Sequence, residues 1–205
     1  MHIMIKQKLQ YILPVWIILV SNTISYTQDT LYVPEFSIHR GFYESPFNVV
    51  ITSDREDASI VYTFDGSDPK TSQNTFTETS PATIYVDPED ETGRFTAPGV
   101  VLRAIASQEG YHPSRIVSHT YLFLNKIKEL SPHEQKPGSG WPERNMDNSD
   151  IQYMDYGLDP EILNDSRYRE EIPEALFSLP TISLVTDLEN LFDPDSGIYF
   201  NALRH

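Results

Sequence analysis

From Val33 to Leu124 the chain repeats one pattern: a short stretch of alternating apolar and polar residues, then a cluster of turn-forming residues. "FNVVITS" sets Phe47, Val49 and Ile51 on one side, "SIVYTF" does so with Ile60, Tyr62 and Phe64, and "VVLRAIAS" with Val100, Leu102, Ala104 and Ala106. In "IVSHTYLF", Val117, His119, Tyr121 and Phe123 share one side, with Ile116 and Leu122 on the other. A period of two belongs to strands with one buried face and excludes helices over the same residues. "DREDAS", "DGSDPKTSQN", "DPEDETGRFTAPG" and "QEGYHPS" fall between them, each rich in residues that accept tight turns.

Short strands with a single apolar face must bury that face against a second sheet. With "EFSI" and "PATIYV" included the count approaches seven, which predicts an all-β, immunoglobulin/fibronectin-III-like β-sandwich over residues 34–124. The composition agrees: 39% hydrophobic residues suffice for a packed core, and 15 prolines and nine glycines suit many short elements joined by turns.

The flanks read differently. Lys6 and Lys8 followed by the apolar run Leu9 to Val20 and the small, polar "SNTISYT" predict a signal peptide over residues 1–27. The apolar run is shorter than the roughly 20 residues a membrane-spanning helix needs, so no membrane span is expected once the signal is removed. The chain is therefore expected to be secreted, periplasmic or held at the cell surface. With no cysteine it has neither a disulfide framework nor a thiolate metal site. A net charge of −15 disfavours nucleic acid and anionic membrane surfaces as partners.

Residues 125–152 are polar, rich in Pro and Gly and without a period, as in an extended connector, with Trp141 expected to pin it onto a neighbouring domain. Residues 153–205 read as a short, incomplete α+β segment. Its apolar residues from Ile162 to Leu179 predict a helix broken and restarted at Pro173, "TISLVT" predicts a buried strand, and Thr186 with Glu189 stands at capping-box spacing before a short helix. After the "DPDSG" turn, Ile198 to Phe200 suggest another strand.

Chemistry is sparse. Asp65 and Asp68, and again Asp193 and Asp195, offer oxygens to a hard cation, but neither set has the full spacing of a calcium loop. In the first case Asp65, Gly66, Ser67 and Pro69 read as a structural turn between strands. Asp87 to Glu91 reads as a solvated loop tip. His39, His112, His119, His133 and His205 show no metal-ligand spacing, and neither a nucleophile elbow nor a Gly-rich phosphate loop occurs, so no catalytic residue and no cofactor is expected. Tyr43, Phe95 and Tyr111, in or beside turns, are the candidates for stacking on sugar rings.

Two stretches resemble known families. "PEFSIHRGFYESPFNVVIT", "ASIVYTFDGSDP" and "VVLRAIASQEGYHPSRIVSHTYLF" resemble the fibronectin-type-III-associated β-sandwich attached to chitobiases, β-hexosaminidases and family-29 fucosidases. Gly41, Pro46, Tyr62, Thr63, Asp65, Gly66, Ser67, Pro69, Leu102, Ala104, Ala106, Gly110 and Ser114 carry the likeness, and the loop from Asp87 to Pro98 is longer and more acidic than the pattern. The resemblance implies an accessory module without catalytic residues. "ALFSLPTISLVTDLENLFDPDSGIYFN" is similar to the start of CotH-like kinases, through Leu179, Pro180, Ser183, Leu184, Thr186, Leu191, Phe192, Gly197, Ile198 and Tyr199, which implies nucleotide- and metal-binding residues beyond His205. The expected role is a non-catalytic spacer and display domain with weak contact to cell-surface or extracellular polysaccharide and a covalently adjacent domain as partner. The alternative is the N-terminal fragment of a secreted CotH-like atypical kinase.

Overall fold

The structure is a computed structural model that describes residues 28–95, 97–130, 136–138, 140–144 and 153–199. The expected signal peptide, His133, His205 and Phe200 lie outside the described residues, as does much of the connector.

Among the described residues eight strands form two sheets. β1 (Glu35–Phe36), β3 (Phe47–Thr52) and β6 (Ala82–Val86) make a three-stranded antiparallel sheet in the order β1-β3-β6. β2 (Gly41–Tyr43), β4 (Ser59–Thr63), β5 (Phe76–Thr79), β7 (Gly99–Ser107) and β8 (Val117–Phe123) make a five-stranded sheet in the order β2-β8-β7-β4-β5. All pairs are antiparallel except β2 with β8, where Gly41 to Tyr43 lie beside Tyr121 to Phe123 in the same direction.

The period of two does what strand geometry requires. Val49, Ile51, Ile84 and Val86 from the first sheet meet Ile60, Leu102, Ala104, Tyr121 and Phe123 from the second, all of them buried. Each Val, Ile, Leu or Phe side chain among them contributes roughly 1.5–3 kcal/mol on leaving water, set against the entropy of ordering the chain. Outward positions of β6, Thr83 and Tyr85, stay exposed. Every residue of this core falls between Leu31 and Phe123, so the sandwich closes without help from the rest of the chain.

The C-terminal segment departs from its expected layout. α1 (Leu124–Ile127) opens the connector as a single turn. α2 (Pro160–Asn164) and α3 (Ser166–Ser178) are separated at Asp165, whose carboxylate accepts from the Arg167 N–H and caps α3. The helix therefore breaks at a capping residue and not at Pro173, which sits inside α3. "TISLVT" is not a strand: residues 181–187 have no ladder partners, and Ile182 and Leu184 are 83% and 76% exposed. An apolar run makes a buried strand only beside another strand, and among the described residues no strand pairs with this run. α4 (Leu188–Phe192) forms as expected but without the capping box, because Thr186 Oγ1 accepts from Asn190 Nδ2 and Asp187 occupies the cap position without a side-chain bond. Ile198 and Tyr199 form a turn whose N–H groups donate to the carbonyls of Asn190 and Leu191.

Candidate functional site

The "DGSDP" stretch is a turn held by its own side chains. Asp65 Oδ1 accepts from the Ser67 N–H at 2.9 Å and from the Ser67 hydroxyl, and Asp68 Oδ1 accepts from the Lys70 N–H at 2.8 Å. Gly66 adopts φ +79°, a left-handed conformation in which glycine carries no strain, and its carbonyl accepts from Arg103 Nη1 at 2.9 Å. At the other acidic turn Asp193 Oδ1 accepts from the N–H groups of Asp195 and Ser196 and from the Ser196 hydroxyl, which holds its carboxyl below the usual carboxylate range. Among the described residues no three His, Asp or Glu side chains come together as a metal site.

The three candidate aromatics do not meet. Tyr43 is half-buried, packs at 4.4 Å on Phe47 and edge-on against Tyr121, and its hydroxyl donates to the His39 carbonyl. Tyr111 lies between β7 and β8, at the far end of the sandwich from Tyr43, with the Arg55 guanidinium 4.5 Å above its ring. Phe95 alone projects, 56% exposed, from the loop between β6 and β7.

That loop is built around a residue that no motif marks. Arg94 is only 8% exposed. Its Nη1 donates to the carbonyls of Asp87, Pro88 and Asp90 at 3.0–3.3 Å, and its Nη2 to those of Ala97 and Gly99 at 2.9 and 3.2 Å. Burial pulls its pKa down, opposed by Asp90, Asp87 and Glu91 nearby. The acidic tip is solvated at Glu89, Asp90 and Glu91, as expected, yet the loop folds inward onto a buried cation. Lys126 of α1 pairs with Glu89 and Glu129 and ties the loop to the start of the connector.

Beside the loop the connector and the C-terminal segment cross the outer face of the five-stranded sheet. They leave a cleft of about 460 Å³ whose aromatic lining is Phe64, Phe95, Trp141 and Tyr156, with Asp65 and Arg94 as its charged residues. Trp141 does hold the connector down: its ring meets Tyr156 edge-on at 5.5 Å and Phe192 at 5.4 Å. Gly138 lies between Phe95 and Trp141, and a Cβ there would stand 2.8 Å from the Phe95 ring, so any larger residue would displace that ring. A second hollow of about 630 Å³ on the other side of Trp141 is lined by the "DGSDP" turn and residues 184–189, with no further aromatic ring.

Residues 38–118 match the family model of the chitobiase/beta-hexosaminidase C-terminal domain. That family is a non-catalytic accessory domain of carbohydrate-active proteins. The match takes in all the strands from β2 to β7, the Arg94 loop and the start of β8, and stops before the connector, so Trp141 and Tyr156 lie outside it. It does not extend to residues 179–199, which carry the second resemblance. No curated protein and no solved structure matches the chain.

Proposed function

We propose that the chain is an exported, non-catalytic accessory module whose sandwich spaces and displays the segment that follows it, with weak contact to cell-surface or extracellular polysaccharide. One observation carries this reading: the sandwich core is complete between Leu31 and Phe123, and the downstream segment lies on its outer face as a passenger. Phe177 meets Phe42 at 5.1 Å, and Ser183 and Thr120 share a hydrogen bond of 2.7 Å, both on the five-stranded sheet. The passage of the chain from β1 in one sheet to β2 in the other supports an immunoglobulin- or fibronectin-III-like topology. The N-terminal pattern of residues 1–27 supports export. Among the described residues no helix is long and apolar enough to cross a membrane.

Limited proteolysis with hydrogen exchange tests the reading. Cleavage is expected first in the connector and the C-terminal segment, releasing a sandwich fragment whose strand amides keep their protection. Loss of protection across β3, β4 and β7 as soon as the segment is cut would overturn it.

A second reading rests on the exposed apolar residues Leu179, Ile182 and Leu184. In it they belong to the start of a CotH-like atypical kinase whose catalytic residues lie beyond this chain. A messenger whose stop codon follows His205 would sink it.

A further inference from the structure

We propose that the cleft between the Arg94 loop and the connector binds a neutral sugar ring of a short oligosaccharide. The inference rests on the polysaccharide contact of the reading above and gives that contact a place, partly outside the matched accessory domain.

Shape is the first ground. A volume of about 460 Å³ lies within the range of small-ligand sites. Phe95 stands exposed on one side, and Trp141 is fixed on the other by its edge contacts with Tyr156 and Phe192. Gly138 lies between the two rings, and its missing side chain lets the Phe95 ring pack directly on its backbone beside Trp141. Rings fixed before the ligand arrives lose little entropy on binding, and the apolar C–H face of a pyranose suits such a surface.

Charge selects the class. Among the described residues lining the cleft Arg94 is the one cation, and its terminal nitrogens are already spent on five backbone carbonyls. The Tyr156 hydroxyl is likewise committed, donating to the Pro142 carbonyl at 2.7 Å. Among the described residues lining the cleft, a phosphate, sulfate or uronate would find no uncommitted cationic donor and would face the carboxylate of Asp65. Asp65 uses Oδ1 in its turn and retains a second carboxylate oxygen that can accept from sugar hydroxyls. An apolar face with hydroxyl donors at its edge describes a neutral hexose or N-acetylhexosamine unit. The neighbouring hollow lacks the second ring, Tyr43 is packed on Phe47, and Tyr111 is covered by Arg55.

The sequence supplies the reporter. Trp16 and Trp141 are the two tryptophans, so the full chain carrying Trp16→Phe has Trp141 as its sole indole. Titration with soluble oligomers of N-acetylglucosamine, of glucose and of a uronic acid is expected to give a saturable change in emission with a neutral oligomer, half-complete at about millimolar concentration. Phe95→Ala is expected to weaken it by about tenfold, Phe95→Tyr to restore it, and Tyr111→Ala to leave it unchanged. No saturable change with either neutral oligomer, equal binding by the uronic acid oligomer, or an unchanged response in Phe95→Ala would each overturn the proposal. Such a failure alongside the expected protease pattern removes the sugar site and leaves the spacer role standing.

Discussion

Replacing Arg94 by alanine removes the centre of the 87–98 loop. Five carbonyls lose a charged donor, and the bond to Pro88 is fully buried while the other four are partly buried. Hydrogen bonds to charged groups are worth about 1.5–3 kcal/mol each when no replacement is at hand, and those that water can reach on relaxation much less. Counting the buried bond near the top of that range and each of the others at a few tenths gives a loss of about 4 kcal/mol. With a urea slope of about 2 kcal/mol/M the unfolding midpoint should fall by about 2 M. Arg94→Lys should recover only part of this, because an ammonium cannot span carbonyls on both sides of the loop as the guanidinium fork does. Arg55→Ala, an exposed cation above Tyr111, serves as the control with little change. A midpoint for Arg94→Ala within about 0.5 M of the parent, equivalent to about 1 kcal/mol, would show that the loop does not depend on the guanidinium.

Three further outcomes follow from the same reasoning. His119 is buried against Phe36 at 4.3 Å, and burial, with smaller contributions from Arg40 and His39, pulls its pKa down despite the Ile38 carbonyl beside it. The unfolded chain thus binds a proton first as pH falls, so stability is full above about pH 6.5 and declines below it toward the folded value, a slope that His119→Phe should flatten in urea midpoints between pH 7.5 and 5. Gly66→Ala should cost about 1–2 kcal/mol, since φ is +79° and the new Cβ would stand 3.3 Å from Val101, and a thermal melt reads it directly. Ser114→Ala should cost roughly 1–3 kcal/mol by the same melt, because the fully buried hydroxyl accepts from the Ala106 N–H and donates to the Arg115 carbonyl, both at 2.9 Å.

The sandwich was legible in the sequence because alternation in β3, β4, β7 and β8 can satisfy only one geometry. Val100, Leu102, Ala104 and Ala106 all turn inward as read. Arg94 was not legible: an arginine among aspartates and glutamates looks like a solvated charge, and only the fold reveals that its partners are backbone carbonyls, which leave no mark on composition. Phe95 was legible as a turn aromatic, but its neighbour Trp141 is 46 positions away, and nothing local says that the connector returns to that loop. "TISLVT" misled because a short apolar run has the same appearance whether or not a strand waits beside it.

The parallel pairing of β2 with β8 has a mechanical consequence. The chain enters this pair at the start of β2 and leaves it at the end of β8, so a pull on the two ends slides one strand along the other. Hydrogen bonds that lie across the strands then resist together in shear, whereas an antiparallel hairpin pulled from its open end unzips one rung at a time. A module placed between an anchorage and whatever it carries would meet tension along this line, and here β2 and β8, inward of the two-residue β1, form the pair that bears it.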